Sequence, residues 1–319
     1  MSLTTRGKSR KIARIFAKSQ LILFQSRKKF AFLYCLATVT GLFCIPGTLG
    51  ALSTGPNFLA LLQTFSLPLA SLLVTAGTYV LNDLVDADLD AANGKKRPIP
   101  SGQVSKAQAR VFVLLTFGTA LTLTAITLSL VSLIIVTMML VIGIAYSAPR
   151  IALMKRFVIK TISIAIFYML CALLGMTSSY NLDHALTSSI VVSNVLLTLA
   201  LMVFISSTLN DMGDVDGDKK VGRKTIPIVL GSGKTINLTI FLAITVLAIT
   251  WVFCAALFIL GKGNVITAIT TTSVASIVLV RLCRMRNRTE DMQFARTQHK
   301  KLFPLQIAMH PAIVSGLMI

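Results

Sequence analysis

Residues 58–90 read FLALLQTFSLPLASLLVTAGTYVLNDLVDADLD. From Phe58 to Leu81 the stretch carries no charge, and then Asn82-Asp83-Leu84-Val85-Asp86-Ala87-Asp88-Leu89-Asp90 brings in four carboxylates. About 20 apolar residues suffice for a helix to cross the hydrocarbon of a bilayer. The stretch therefore reads as a membrane span that ends in an acidic motif. Outward from it the pattern repeats: Phe30–Leu49, Phe58–Leu81, Val111–Ile126, Leu128–Tyr146, Phe157–Met176, Leu186–Leu209, Ile236–Leu260, Val265–Leu282 and Leu302–Ile319 are nine runs of crossing length. The 319-residue chain is 55% hydrophobic and 13% charged, with a mean hydropathy of +0.80. A soluble domain carries about 25% charged residues. An all-α integral membrane protein is expected, because lipid-exposed backbone must satisfy its own hydrogen bonds. The alternating segments of a β-barrel are missing.

The net charge of +20 reports topology before it reports a partner. Nine basic residues precede the first run and 21 follow the even-numbered runs, so 30 of the 31 Lys and Arg fall on one face and Lys262 alone on the other. The positive-inside rule makes that face cytoplasmic. The N-terminus and the acidic motif then lie inside, the C-terminus lies outside, and nucleic acid is not expected as a partner. Residues 1–29 form a basic, acid-free segment expected to lie on anionic lipid at the cytoplasmic face, with an organelle transit peptide as the alternative. Five separated cysteines with no CxxC are expected to pack as small apolar residues.

Eight of the eleven acids lie in two clusters. The second, Asn210-Asp211-Met212-Gly213-Asp214-Val215-Asp216-Gly217-Asp218, repeats the first 128 residues later, again where an even-numbered run meets the basic face. This is an internal repeat. It divides the membrane region, 30–319, into two similar four-helix halves, about 30–156 and 157–282, with a ninth helix at 302–319. On a helix Asp83, Asp86 and Asp90 share one face, as do Asp211, Asp214 and Asp218. Asp88 and Asp216 point about 140° away and are expected in solvent or behind the ligating carboxylates. Asn82 and Asn210 can add an amide oxygen or orient a carboxylate. Six carboxylates in one space repel unless a cation sits among them. Oxygen ligands without His or Cys favour Mg²⁺, which is usually held together with substrate phosphates. The neighbouring Lys and Arg suit the outer oxygens of a diphosphate. An EF-hand does not fit, since Arg97 or Thr225 stands where its last Glu belongs.

These motifs resemble the UbiA superfamily of intramembrane prenyltransferases. The resemblance rests on N-D-x-x-D-x-x-x-D at Asn82 to Asp90, on D-x-x-D-x-x-x-D at Asp211 to Asp218, and on the loops Arg97 to Ser105, Tyr146 to Arg156 and Gly222 to Gly231. One departure is Ala148-Pro149-Arg150, where many relatives have two prolines. The loops most resemble the digeranylgeranylglyceryl phosphate synthase and chlorophyll synthase branches. The resemblance implies nine transmembrane helices around a central cavity open to lipid, a polyprenyl diphosphate donor, and a hydrophobic aromatic or lipid acceptor. Asp83, Asp86 and Asp90 would hold one Mg²⁺ and Asp211, Asp214 and Asp218 another. Arg97, Lys155 and Lys224 would neutralise the departing diphosphate. Tyr79 and Tyr146, at span ends on the same face, are candidates for stabilising an allylic cation or binding phosphate. His184 is expected to have no role, and His310, inside the last run, to be a hydrogen-bonded packing residue. A membrane terpene cyclase would use the same motifs without an external acceptor. A transporter fits less well, because transport carboxylates usually lie near mid-membrane.

Overall fold

The computed structural model describes residues 3–45, 55, 58–92, 96–178, 185–261 and 264–316. The ends of the first and ninth expected spans, Lys95, His184 and Lys262 lie outside them. Among the described residues every regular element is helical. They are α1 (Leu3–Cys44), α2 (Phe58–Val85), α3 (Ala87–Ala92), α4 (Lys106–Ala125), α5 (Leu130–Ser147), α6 (Phe157–Met176), α7 (Ala185–Gly213), α8 (Val215–Lys220), α9 (Ile226–Leu230), α10 (Ser232–Ile259), α11 (Val265–Met285) and α12 (Met292–Val314). A single 3₁₀ turn, Leu153–Lys155, precedes α6.

Among the described residues seven helices (α2, α4, α5, α6, α7, α10 and α11) are long and apolar enough to cross a membrane. Nine were expected. The difference is α1 and α12, whose N-terminal parts carry Lys, Arg and Gln. The all-α membrane architecture is as the composition demands. Large apolar side chains stand outward, with Phe65 at 72% and Leu114 at 71% exposure, a surface suited to lipid rather than water. Polar side chains inside the spans satisfy themselves locally. Thr75 donates to Ser71 O at 2.8 Å, Thr124 to Ala120 O at 2.9 Å and Thr250 to Val246 O at 2.7 Å, so a hydroxyl costs little away from water.

The long helices close into a ring. α1 packs on α2 and α6, α2 on α4 and α5, α6 on α5 and α7, α7 on α10 and α12, α10 on α11, and α11 on α12, which returns to α1. Association in lipid relies on close backbone approach. At the α1–α6 crossing it is achieved by Gly41 and Gly175, where any Cβ would collide with the Ala172 and Thr38 carbonyl oxygens respectively.

α1 is one uninterrupted helix of 42 residues, about 63 Å at 1.5 Å per residue, and it passes through position 29 without a break. Its basic half packs against protein as well: Leu23 is fully buried among Ile99, Val104, Ala109 and Phe112, and Gln20 Nε2 donates to Gln108 O at 3.4 Å. That packing brings Arg27 to the inner side of the ring.

Candidate active site

The two motifs are built alike. α2 and α7 have 28 and 29 residues, about eight more than a crossing needs, so their C-terminal turns can carry acids past the hydrocarbon. Both helices break at the middle aspartate: α2 stops at Val85 and α3 starts at Ala87, while α7 stops at Gly213 and α8 starts at Val215. The hydrogen bonds continue across the breaks, from Asp90 N to Asp86 O at 2.7 Å and from Asp218 N to Asp214 O at 2.9 Å. In the first motif Asp86 N also bonds to Asn82 O at 2.9 Å, so the i, i+3, i+7 face survives there; in the second, Asp214 N bonds only three residues back, to Asp211 O at 3.1 Å. Asp83, Asp86, Asp90, Asp211 and Asp218 are buried, Asp214 is half-exposed, and Asp88 stands in solvent, paired with Lys106.

Buried carboxylates need a counter-charge, and each of these has one. Arg27 from α1 takes both oxygens of Asp83, its Nε reaching Oδ2 at 2.7 Å. Arg97 Nη1 donates to Asp83 Oδ1 at 2.7 Å and to Asp90 Oδ2 at 2.5 Å, which shows that these two acids share a face. Arg223 Nη2 donates to Asp86 Oδ2 at 2.7 Å, and its Nη1 reaches Asp218 Oδ1 at 3.3 Å. It thus joins one motif to the other. Lys160 of α6 pairs with Asp211. Arg296 of α12 donates from Nε to Gly213 O at 2.7 Å and from Nη2 to Asp214 Oδ1 at 3.2 Å. Burial works against the charge on Arg223, but Asp86 and Asp218 outweigh it and hold its pKa above the ordinary value.

Beneath the cations lies a cavity of about 510 Å³, lined from α1, α2, α5, α6, α7 and α12 and the loops beside them by Arg27, Phe30, Tyr34, Tyr79, Asn82, Arg97, Tyr146, Lys160, Asn210, Asp211, Asp214, Asp218, Arg223, Arg296, His299, Phe303 and Gln306. A narrower apolar recess of about 100 Å³ shares Tyr34, Tyr79, Asn82 and Tyr146 with it and runs inward past Thr75, Ile142, Gly143 and Phe167. Thr75 lies two helical turns before Asp83, about 12 Å further into the bundle. One end of the space is cationic and acidic, and the other is apolar.

The donor set suits a hard divalent cation, since its ligating groups are oxygens. Asp211 Oδ2 is buried with no hydrogen-bond partner, an acceptor left for a ligand. Among the described residues no three acidic, His or Cys side chains are gathered into one metal-holding group, because guanidinium and ammonium groups stand between them.

The profile of the UbiA prenyltransferase family matches residues 23–303. The chain belongs to that family. Among its relatives are a digeranylgeranylglyceryl phosphate synthase of Methanopyrus kandleri, 29% identical over 57% of this chain and 64% of the relative, and one of Methanoculleus marisnigri, 30% identical over 62% and 66%. The matched region thus spans just under two thirds of these relatives' length. In fold the chain resembles a structure described as that of a digeranylgeranylglyceryl phosphate synthase in membranes, with a TM-score of 0.70 at 18% identity over 95% of this chain and 99% of the other. It also resembles a UbiA homologue from Archaeoglobus fulgidus bound to GPP and Mg²⁺, with a TM-score of 0.62 at 16% identity over 93% and 99%.

Of the residues singled out from the sequence of this UbiA-family member, Asp211, Asp214, Asp218, Asn82, Asn210, Arg97, Tyr79 and Tyr146 line the cavity, and Asp83, Asp86 and Asp90 stand behind its wall, bound to the lining Arg27, Arg97 and Arg223. Lys155 and Lys224 do not line it. They are exposed, on loops joined by the Lys224 N–H to Lys155 O bond of 3.1 Å. Lys160, one turn further along, and Arg223, the preceding residue, face inward instead. Sequence reasoning missed Arg27, Lys160, Arg223 and the α12 residues Arg296, His299, Phe303 and Gln306. The last four sit at i, i+3, i+7 and i+10, a one-face spacing that was open to reading. Burial lowers the His299 pKa below its ordinary value, against the pull of the nearby Asp214 carboxylate.

Proposed function

We propose that this protein transfers a prenyl group from an allylic prenyl diphosphate to a lipid acceptor with a glycerol phosphate head, releasing diphosphate, with Mg²⁺ as cofactor. The observation that carries the reading is the meeting of the two acidic motifs, spanned by Arg223, over a cavity that turns apolar away from them. The family supports prenyl chemistry, the Archaeoglobus homologue with GPP and Mg²⁺ supports the donor and the metal, and the names of the curated relatives support the acceptor class. The same reading puts the motifs and N-terminus on the cytoplasmic side, with the C-terminus opposite.

Asp83, Asp86 and Asp90 in one motif and Asp211, Asp214 and Asp218 in the other would hold Mg²⁺, which draws negative charge off the leaving diphosphate. Arg27, Arg97, Lys160 and Arg223 exchange carboxylate oxygens for diphosphate oxygens, keeping their donors aimed where charge grows as the allylic C–O bond breaks. Asn82 and Asn210 border the same space and orient the head group. Phe30, Leu33, Ile164 and Val203, also on the cavity wall, exclude water from the allylic cation. The acceptor hydroxyl closes on that carbon, and its proton passes to the released diphosphate or to a motif carboxylate.

The test is transfer by purified protein in liposomes from radiolabelled geranylgeranyl diphosphate to a panel of glycerol phosphate and aromatic acceptors, with Mg²⁺ or EDTA. Prenylated glycerol phosphate that forms only with Mg²⁺, and drops about a hundredfold or more in Asp86→Asn and Asp211→Asn, supports the reading. A cyclic product from donor alone would assign a cyclase. No diphosphate release by folded protein with any donor overturns prenyl chemistry.

A further inference from the structure

His310 of α12 is 1% exposed, and both of its ring nitrogens are engaged. Nδ1 meets Thr40 Oγ1 of α1 at 2.7 Å and Nε2 meets Tyr168 Oη of α6 at 2.7 Å. The proton is assigned from these partners. Thr40 spends its one hydrogen on Leu36 O at 2.9 Å, so it accepts from Nδ1–H. Nε2 is then an acceptor and the Tyr168 hydroxyl its donor; the other acceptor within reach of that hydroxyl, Leu33 O, is at 3.4 Å. One histidine thereby ties three helices and sets the direction of one phenol.

That phenol begins a row of rings leading to the motifs. Tyr168 meets Tyr34 edge-on with centroids 4.7 Å apart at 88°, Tyr34 meets Tyr79 edge-on at 6.3 Å and 81°, and Tyr79 stacks on Phe30 at 5.0 Å. Tyr34 and Tyr79 line the cavity and its recess alike. Tyr79 lies one turn before Asp83 on the same face of α2, with the Arg27 guanidinium 5.7 Å from its ring centre. Edge-to-face contacts pass orientation from ring to ring, because each edge needs the face of the next.

A histidine that only packs serves as well when replaced by an apolar side chain of similar volume. This one adds an acceptor that holds Tyr168 at one angle. We propose that His310 is a positioning residue: through Tyr168 and Tyr34 it fixes the aromatic wall against which the reacting end of the prenyl donor is held. The proposal rests on the prenyl-transfer reading. A cation over a well-set ring face is stabilised. Over a displaced wall it is captured by water, whose oxygen bonds to the allylic carbon and whose proton leaves with diphosphate, giving prenyl alcohol in place of the transferred product.

The experiment measures kcat, KM for geranylgeranyl diphosphate, and the ratio of prenyl alcohol to transferred product in liposomes. The proteins are wild type, His310→Leu, His310→Gln and Tyr168→Phe, each checked for folding by thermal unfolding in detergent. His310→Leu and Tyr168→Phe are expected to lose about tenfold in kcat, the worth of one buried hydrogen bond. Their donor KM should stay within about threefold, because the diphosphate contacts are untouched, and their alcohol fraction should rise. His310→Gln, whose amide oxygen can accept from Tyr168, is expected to recover most of the rate and the wild-type ratio. A folded His310→Leu with wild-type kcat and ratio overturns the proposal, as does a folded Tyr168→Phe with both unchanged. Where His310→Leu fails to fold, Tyr168→Phe decides alone. A wild type that releases no diphosphate sinks the prenyl reading and this inference with it, whereas an active wild type with indifferent variants sinks this inference only.

Discussion

Arg223 reaches Asp86 on one side and Asp218 on the other because the loop after α8 folds back under the mouth of the cavity, where Arg223 N donates to Asp218 O at 3.0 Å. Without that guanidinium two buried carboxylates would face each other. Arg223→Gln is expected to lower stability on the order of 3 kcal/mol in metal-free detergent, since one partner of a buried ion pair is lost. Millimolar Mg²⁺ should restore part of the difference, read as a rise in the thermal midpoint. Transfer should fall about a hundredfold, as for a group aimed at charge that develops in the transition state. A variant with wild-type midpoint and rate would remove Arg223 from the site. The acids were legible at this scale because their i, i+3, i+7 spacing is a local property of two successive helical turns. The choice between Lys224 and Arg223, or Lys155 and Lys160, was not, since it depends on which way a neighbouring loop or helix turn faces.

α1 does two jobs that the sequence divided at residue 29. Its apolar part crosses next to α6, and its basic part delivers Arg27 to Asp83. Both depend on how closely and at what rotation α1 lies on α6, which Gly41 and Gly175 set. Gly41→Leu and Gly175→Val are expected to destabilise by about 1–3 kcal/mol or more through overpacking, measured as thermal unfolding in detergent. Because Thr40 adjoins Gly41, Gly41→Leu should also raise the prenyl alcohol fraction if the helix moves off His310. An unchanged midpoint in both variants would mean that the crossing is looser than described. Element ends were read to within a few residues wherever hydropathy changed sharply, as at Phe157–Met176. They were missed where charge and helix coincide, as in α1, because hydropathy follows solvent and a helix can continue into water.

For the molecule as a whole, the motifs, Arg27 and the loops after α2, α5, α7 and α11 lie at one end of the bundle. Cys283 is exposed near the C-terminal end of α11, beside Arg281 and Arg284, whereas Cys44 and Cys171 are buried within the bundle. A membrane-impermeant thiol reagent is therefore expected to label Cys283 in inverted vesicles and not in right-side-out ones. The reverse pattern would overturn the proposed sidedness. The sequence by itself determined the membrane class, the two matched acidic motifs and the alternation of charge. All three follow from composition and spacing along a few helical turns, which solvent and helix geometry fix locally. Only the tertiary structure decided which cations neutralise which carboxylates, that α12 lines the cavity, and that His310 meets Tyr168 at the end of a row of tyrosines. Those depend on the rotation of helices distant in sequence, 56 residues apart between Arg27 and Asp83 and 270 between Thr40 and His310, and close packing of the whole ring sets that rotation.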